Sequence, residues 1–300
     1  MQRREFVKRS LEIAVSVAAL QQKNLLSQIS SYPDLAVVTD GEPQQLVQNA
    51  LTALGGIERF ISRNDTVVIK PNISWDRVPK QGATTNPESV AEVVRQCYQA
   101  GAKDVKVFDN TLNEARRCYK RSGIEQAVKD AGGKVLYVQE RKFKQTVFPD
   151  GELVKSWEIY DEVLEADKLI NMPCTKHHSI SGVSLSMKNL MGLIGGVRGK
   201  FHRQYDTKIV DLNTRIKPTL ILLDAYRMLM RNGPSGGNLA DVQLKKTMIA
   251  GVDPVAIDSY GATLFGHDPK TIEFLVQANQ RGLGQINLNQ VNTKLIRLNA

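Results

Sequence analysis

The chain has 300 residues, a formal net charge of +9, 42% apolar residues and 24% charged residues. This composition is typical of a globular protein that is large enough to bury a substantial core. Only 6% of the residues are aromatic, which argues against stacking platforms for single-stranded nucleic acid. Most basic residues are scattered, so the charge indicates a solvated basic surface or a small anionic ligand, and nucleic acid is not expected as a partner.

Three cysteines, Cys97, Cys118 and Cys174, are spread through the chain without a CxxC pair. A sparse and odd-numbered set of this kind does not indicate a disulfide framework. It also cannot supply the four thiolates of an iron–sulfur cluster. Any such cluster would need a second polypeptide or other ligands, and the sequence therefore leaves both the cofactor and the metal unidentified.

The first 33 residues have features of an export signal. Arg3-Arg4 is followed by Glu-Phe-Val-Lys, an order that resembles a twin-arginine signal. The apolar stretch 11–20 is too short to span a bilayer, and small residues at 17–19 are suitable for cleavage. We therefore expect a periplasmic or otherwise exported protein. The alternative, favoured by Glu12 within the apolar stretch, is an amphipathic N-terminal helix on a cytoplasmic protein.

The globular part is predicted to begin near Asp34 and to alternate strands with helices. Apolar, β-branched runs between turn residues predict strands, and Pro87 after Asn86 predicts a capped helix start. In the N-terminal half the predicted strands are 35–39, 66–70, 105–109 and 134–138, and the predicted helices are 43–54, 85–101 and 123–131.

The C-terminal half continues this alternation after the charged segment 140–160, which predicts a hairpin or a lobe boundary. The predicted strands are 166–173, 219–223 and 247–250, the helices are 255–265 and 269–279, and 291–298 is an edge strand. Such alternation is typical of an α/β protein with mainly parallel sheets flanked by helices. We predict two lobes, residues 34–160 and 161–300, with a cleft between them.

Polar residues follow two of the predicted strands where they end. Lys70 and Asn72 come after one strand, and Asp109 comes at the end of the next. Open α/β sheets bind ligands at the carboxyl ends of their strands. These three residues are therefore predicted to bind substrate, although a strand-end lysine or aspartate is also common as a cap or turn residue.

The segment 174–196 is unusually polar for one that follows a buried strand. It is predicted to be a loop that contains Lys176, His177, His178 and Ser184. Histidine is suited to proton transfer near neutral pH and to metal ligation. Lysine and serine donors suit a carboxylate or phosphate. We predict His177 and His178 as catalytic residues, with Lys176 and Ser184 binding substrate; the alternative is a satisfied polar loop.

Further candidates lie downstream. Lys188 is predicted to be catalytic, as a charge clamp or amine nucleophile, and His202 is a third candidate catalytic imidazole. Asn189, Asp253 and Asp258 are predicted to bind substrate. The two aspartates could orient a histidine or a metal ion, or could be a helix cap and a buried hydrogen-bonded aspartate. The glycines after Lys188 match neither GxxxxGK[ST] nor GxGxxG, so a nucleotide site is not supported.

Several of these segments together resemble one family, the domain-of-unknown-function family numbered 362. The resemblance spans residues 34–284. It is carried by segments 68–72, 85–87, 171–177, 184–192, 233–234 and 251–258. The family implies no established activity, but some members accompany iron–sulfur domains, which implies a redox protein as a further partner. This chain lacks the cysteine-rich segment of those members.

A more distant resemblance is to the nickel-pincer lactate racemase family. That family has a histidine, nine intervening residues and then the lysine that holds its pyridinium-derived cofactor. His178 and Lys188 have this spacing here, and His202 follows downstream. The resemblance implies a ligand contacted by these three side chains, although Leu185-Ser186 stands where that family has a Gly-Gly pair.

We therefore predict an enzyme that acts on a small anionic organic substrate in a cleft lined by histidine and lysine, with or without a metal or redox cofactor. The alternative is a non-catalytic, exported protein that binds a ligand or metal or serves as a scaffold for an iron–sulfur redox partner. The absence of a complete known catalytic motif favours this alternative.

Overall fold

Twelve strands and nine α-helices form the described part of the chain, residues 32–299 of a computed structural model. The export signal predicted within residues 1–33 falls almost entirely outside the described residues. From Asp34 onward the chain forms one compact unit. None of the described helices combines the length and apolarity that a bilayer-spanning segment needs.

The strands alternate with helices along most of the chain, as the sequence predicts. The strands are β1 Leu35–Thr39, β2 Thr66–Pro71, β3 Asp104–Val107, β4 Lys134–Val135, β5 Phe143–Val147, β6 Ser156–Tyr160, β7 Lys168–Met172, β8 Cys174–His178, β9 Gly182–Ser184, β10 Leu220–Leu229, β11 Val242–Gly251 and β12 Thr293–Arg297. The α-helices are α1 Pro43–Ala53, α2 Pro87–Gln99, α3 Ala115–Arg121, α4 Ile124–Asp130, α5 Asp161–Glu165, α6 Ser186–Asn189, α7 Tyr205–Arg215, α8 Pro254–Thr263 and α9 Glu273–Gln280.

Ten of these strands form one mixed, mainly parallel sheet, which confirms the predicted fold class. Its order is β12-β1-β11-β10-β7-β2-β3-β4, and β8 pairs with β10 and β9. β10 is long enough to pair first with β7 and then with β8. The remaining strands, β5 and β6, form a separate hairpin, which confirms one of the two predictions for segment 140–160.

The central strands are buried on both faces of the sheet. On one face Ile69 and Ile170 pack in a core with α1 and α2, and on the other Val68 and Leu169 pack with residues of α7, α8 and α9. Strands buried on both faces need apolar residues at successive positions. This explains the continuous apolar runs from which the strands were predicted.

The boundary predicted near residue 160 does not separate two sheets. β2 from the first predicted lobe pairs in parallel with β7 from the second, and β1 pairs with β11. The two halves therefore share one sheet and its two cores. Residues of both halves therefore also line the same cavity, which lies near the carboxyl ends of β2 and β3.

The segment after Pro173 departs most from its prediction, because it is a strand and not a loop. Pro173 has no N–H, but its carbonyl oxygen accepts a hydrogen bond from Asp224 N at 2.9 Å. β8 then pairs with the part of β10 that extends beyond β7. A single proline therefore interrupts the ladder without ending it.

Other differences concern the element ends and the helices α3, α5, α6 and α7, which the sequence does not predict. The predicted strand 134–138 contains only Lys134–Val135 in a ladder. The helix predicted at 269–279 is divided into a 3₁₀ turn, Pro269–Thr271, and α9. The edge strand predicted at 291–298 is present as β12, paired in parallel with β1.

Candidate functional site

A cavity of about 180 Å³ opens beside the carboxyl ends of β2 and β3 and along β8. Lys70 and Asn72 reach it from the end of β2, and Lys188 and Asn189 reach it from the short helix α6. Eight of the predicted site residues line it: Lys70, Asn72, Lys176, His178, Ser184, Lys188, Asn189 and His202. These residues are separated by up to 132 positions in the chain and meet only because the sheet brings their strands together.

Asp109 lies directly beneath the cavity and pairs with Lys70. The Lys70 Nζ to Asp109 Oδ1 distance is 2.9 Å, and both side chains are buried. The other carboxylate oxygen, Oδ2, accepts hydrogen bonds from Ile73 N at 2.6 Å and Ser74 Oγ at 3.3 Å. Burial lowers the pKa of Lys70, and the charge of Asp109 opposes this shift.

The floor of the cavity is a connected network of amides and lysines. Asn189 Oδ1 accepts hydrogen bonds from Lys70 Nζ at 2.8 Å and Asn72 Nδ2 at 3.0 Å. Asn189 Nδ2 donates to Asn171 Oδ1 at 2.8 Å, and Asn171 Nδ2 donates to Ser186 O at 2.9 Å. Since each amide is fixed by donors on one side and acceptors on the other, the network holds the cavity floor in one arrangement.

Lys176 is buried next to this network without a carboxylate partner. Its Nζ donates to Asn72 Oδ1 at 2.9 Å and to Ala83 O at 2.7 Å. Burial lowers the pKa of Lys176 to about 8, and the nearby charge of Lys70 contributes in the same direction. A lysine ammonium has three N–H donors, so one of them is left for a ligand.

Lys188 has a different environment, because no oxygen acceptor within the described residues 32–299 contacts its amine. Its Nζ lies 3.8 Å from Met191 Sδ and 4.5 Å from the centre of the Tyr205 ring. Burial lowers the pKa of Lys188 to about 7, and the positive charge of Lys176 adds to the shift. A substantial fraction of this amine is therefore unprotonated near neutral pH.

Asp258 positions the helix that carries Lys188. It is fully buried, and its carboxylate accepts hydrogen bonds from Ser186 N at 2.7 Å and Met187 N at 2.9 Å. Burial raises the pKa of Asp258 to about 7, against the effect of these hydrogen bonds. Asp258 thus acts on the site through the backbone of α6, which matches the buried, hydrogen-bonded alternative weighed for it.

His178 faces the cavity in a single tautomer. Its Nδ1 accepts hydrogen bonds from Ile180 N at 3.1 Å and Ser181 N at 3.3 Å. A nitrogen that accepts cannot carry a proton, so the neutral ring bears its proton on Nε2. Burial lowers the pKa of His178 to about 3, with Lys188 as the next cause. His178 therefore presents an N–H donor, Nε2, at neutral pH, and its role as a catalytic residue stays a prediction.

Strand geometry separates the two adjacent histidines. Successive side chains on a strand point to opposite faces, so Lys176 and His178 share one face and His177 lies on the other. His177 is half-buried, and its Nδ1 accepts a hydrogen bond from Gly233 N at 3.2 Å. His177 does not line the cavity, contrary to its prediction as a catalytic residue.

His202 lies at the mouth of the cavity, where it is exposed. Its ring stacks on Tyr205 with centroids 6.2 Å apart and is also 6.2 Å from the His178 ring. Desolvation and the charge of Lys188 lower the pKa of His202. Its position suits contact with a ligand that enters or leaves.

Asp253, like Asp109 and Asp258, is a predicted substrate-binding residue that does not line the cavity. Its Oδ1 accepts hydrogen bonds from Val255 N and Ala256 N, both at 2.8 Å, as the N-cap of α8. Its Oδ2 accepts from Gln285 N at 2.8 Å. The structure thus agrees with the helix-cap alternative for this residue.

Arg198 is the most informative cavity residue that the sequence prediction did not select. It donates from Nη1 to Asn110 O at 2.6 Å and from Nη2 to Thr111 O at 2.8 Å. Burial lowers the pKa of Arg198, and the negative charge of Asp109 opposes this shift. Trp75, Leu112 and Met191 were also missed, and they provide an apolar wall. The Gly195-Gly196 pair before Arg198 was the available sequence signal for a close turn.

Gly192 has a definite role at the base of the cavity. A Cβ at this position would lie 2.6 Å from Lys70 Nζ and would also collide with Asp109. The Gly192 carbonyl accepts a hydrogen bond from Asn110 N at 3.0 Å. Only glycine therefore lets this backbone pass over the Lys70–Asp109 pair.

The described residues include no group of three or more His, Cys, Asp or Glu side chains arranged to hold a metal ion. The three cysteines are buried, free and separate. The described lining of the cavity offers amines, a guanidinium, amides, hydroxyls and the imidazoles of His178 and His202, without a carboxylate or a thiolate. The cationic donors of this set suit an anion.

The fold and cavity define an α/β protein with a cation-lined ligand site at the carboxyl ends of parallel strands. The chain belongs to the family described as domain of unknown function (DUF362), whose model matches residues 67–263. This match confirms the family resemblance found in the sequence. It includes every residue that lines the cavity.

Two individual proteins are similar to this chain. The thylakoid-associated protein sll1697 of Synechocystis sp. is 25% identical over 245 residues, which are 79% of this chain and 74% of that protein. The lactate racemase apoprotein from Thermoanaerobacterium thermosaccharolyticum matches with a TM-score of 0.42 and 15% identity. That match covers 76% of this chain and 56% of the racemase chain, so this chain spans little more than half of the racemase.

Proposed function

We propose that the protein is an enzyme that acts on a small organic anion held in this cavity, with Lys188 as the reacting group. The supporting observation is a charge imbalance. Three lysines and Arg198 line the cavity, whereas the one carboxylate in contact with them among the described residues, Asp109, is already paired with Lys70. Buried charges are costly unless they are paired. An anionic ligand would offset this cost, which favours anion binding.

The available donors suggest how such an anion is held. Arg198 uses two of its N–H groups on backbone carbonyls and has others left, and Lys176 has one N–H left. Together they suit the two oxygens of a carboxylate. The cavity volume of about 180 Å³ is below the usual range for drug-sized ligands, which favours a small substrate.

Binding of a small carboxylate is expected to depend on Arg198. Arg198→Gln should weaken binding by about tenfold to a hundredfold, because a hydrogen bond to a charged group contributes roughly 1.5–3 kcal/mol. Isothermal titration with lactate and pyruvate would measure the change. The matched control is Arg203→Gln, an exposed arginine in the same segment that does not line the cavity.

Equal affinities for the wild-type protein and Arg198→Gln would contradict the proposed anion site. Phosphate and a neutral analogue such as lactamide should be included in the titrations. Binding of lactamide as tight as that of lactate would show that the cavity does not select an anion.

A non-catalytic binding protein is the second candidate. One observation favours it, because the Nδ1 of His178 is occupied and the other cavity imidazole, His202, lies at the exposed mouth. Nuclear magnetic resonance of a bound carboxylate in deuterated buffer would separate the two functions. Exchange or conversion of the ligand supports an enzyme, whereas an unchanged ligand supports a carrier.

Residues 1–33 are proposed to export the protein through their twin-arginine-like pattern. A folded fluorescent reporter fused to this segment should reach the periplasm, and Arg3→Lys with Arg4→Lys should retain it in the cytoplasm. Arg9→Lys, which changes an arginine outside this six-residue pattern, is the matched control. Equal export of the reporter with and without the arginine pair would contradict the proposal.

A visible spectrum and metal analysis of the protein from its own host would test for a metal or redox partner.

A further inference from the structure

We infer that Lys188 is a nucleophile that forms a Schiff base with the carbonyl carbon of its substrate, and that the substrate class is therefore small oxo acids. This inference rests on the proposed function and specifies its chemistry. Three observations support it: the contacts of the cavity lysines, the tautomer of His178, and the donors Lys176 and Arg198 that line the same cavity as Lys188.

The three lysines of the cavity differ in what their amines contact. Lys70 pairs with Asp109 and donates to Asn189, and Lys176 donates to Asn72 and the Ala83 carbonyl. Each of these contacts stabilises an ammonium ion. Lys188 instead contacts a thioether sulfur and the face of the Tyr205 ring, and this cation–π contact stabilises an ammonium ion less than an ion pair with hydrogen bonds to oxygen does. Among the lysines of the described cavity, Lys188 therefore loses least when it gives up its proton.

The surroundings of Lys188 also favour the neutral amine. Only 8% of the residue is exposed, and no carboxylate lies within ion-pair distance of it among the described residues. Lys176 contributes a positive charge nearby, and burial together with this charge lowers the pKa of Lys188 to about 7. Desolvation next to another cation is a recognised way to activate a lysine nucleophile.

A hydrogen-bond donor is available for the carbonyl oxygen of the substrate. His178 lines the same cavity, and its Nε2 has no partner among the described residues while its Nδ1 accepts from two backbone N–H groups. A neutral imidazole that donates from Nε2 polarises a carbonyl without removing a proton from the substrate. The carboxylate of the substrate would meanwhile be held by Arg198 and Lys176.

The reaction is balanced without a further reagent. The lone pair of Lys188 Nζ attacks the carbonyl carbon, a C–N bond forms, and the carbonyl π electrons move to oxygen. That oxygen takes up the proton released from nitrogen, which gives a carbinolamine. A proton from water then converts the hydroxyl to water, which leaves as the C=N bond forms and gives a protonated Schiff base. Loss of the remaining proton on nitrogen returns that proton to the solvent. The overall change joins the amine and the oxo acid and releases one water molecule.

Reductive trapping tests this inference directly. The wild-type protein is incubated with pyruvate and sodium cyanoborohydride, which reduces the C=N bond to a stable amine, and the intact mass is measured. We expect one added carboxyethyl group per chain at low pyruvate concentration, and peptide mapping should locate it at Lys188. Acetone, which lacks the carboxylate, should label the protein at least tenfold more slowly.

Two variants serve as comparisons. Lys188→Met should lose the adduct, whereas Lys200→Met, which removes an exposed lysine of the next segment, should keep it. Peptide mapping of the wild-type protein gives the site of labelling even if a variant folds poorly. An adduct mapped to Lys176 or spread over exposed lysines would overturn the inference.

The outcomes also separate this inference from the proposed function. If pyruvate and lactate bind through Arg198 but no adduct forms at Lys188, the Schiff base is excluded and the anion site stands. If neither carboxylate binds, the proposed function itself fails. Only selective binding together with an adduct at Lys188 supports both.

Discussion

Asp109→Asn is expected to lower the free energy of unfolding by about 3–5 kcal/mol, because it leaves a buried lysine without its counter-charge. Lys70 and Asp109 are 1% and 0% exposed at their side chains, and their charged atoms are 2.9 Å apart. Asparagine has nearly the same shape and can still accept from Ile73 N. The expected loss therefore comes from the charge and not from the packing.

A double-mutant cycle measured by denaturant unfolding would isolate this interaction. Lys70→Met combined with Asp109→Asn should recover at least half of the loss, since the unpaired charge is then absent. Asp104→Asn is the matched control, because Asp104 pairs with the exposed Lys134 and its loss should matter far less. A double variant as unstable as Asp109→Asn alone would show that the ion pair is not the cause.

Lys188→Met is expected to remove reactivity and at the same time to stabilise the fold, by about 1–4 kcal/mol at pH 6–7. A buried, unpaired ammonium destabilises the folded state, and methionine fills a similar volume without a charge. Stability that is given up at a reactive residue is a common feature of active sites. Unfolding curves of the two proteins at neutral pH would measure the difference.

The size of this difference should depend on pH in a defined direction. The pKa of Lys188 is about 7 in the folded protein and near 10.5 when unfolded, so the unfolded chain binds more protons between these values. The wild-type protein should therefore gain stability relative to Lys188→Met as the pH rises from 7 to 10. A pH-independent difference would show that Lys188 keeps an ordinary pKa.

Lys200→Met is a suitable control for the pH series. Lys200 is exposed, so its removal should change neither the stability difference nor its pH dependence. Groups that do not interact with Lys188 titrate alike in both proteins and cancel in the comparison. Lys176 interacts with Lys188 through its charge, so the remaining dependence belongs to this pair of lysines.

Most of the candidate site could be predicted because chemistry and position were both visible in the sequence. Lys70, Asn72 and Asp109 follow apolar runs that had to be strands of an α/β sheet, and such strand ends form ligand sites. Lys188 and Asn189 stood out as polar residues before an apolar run. The sequence did not show that these residues share one hydrogen-bonded network, because the contacts join positions up to 119 residues apart.

The role of each histidine required the tertiary structure. Two adjacent histidines are equivalent in a sequence, and only the pairing of β8 with β10 and β9 places His178 in the cavity and His177 behind it. The proton position on His178 likewise depends on two backbone N–H groups in the turn that follows. The sequence shows a histidine suited to proton transfer, and only the local turn shows that its Nδ1 already accepts two hydrogen bonds.

Taken alone, the sequence determined the alternation of strands and helices, the helix cap at Asn86, the family and the polar residues at strand ends. These properties depend on local patterns of apolar and capping residues. The single sheet across residue 160, the separation of His177 from His178 and the unpaired amine of Lys188 were decided only by tertiary structure. They depend on which distant strands pair and on which groups burial leaves without a partner.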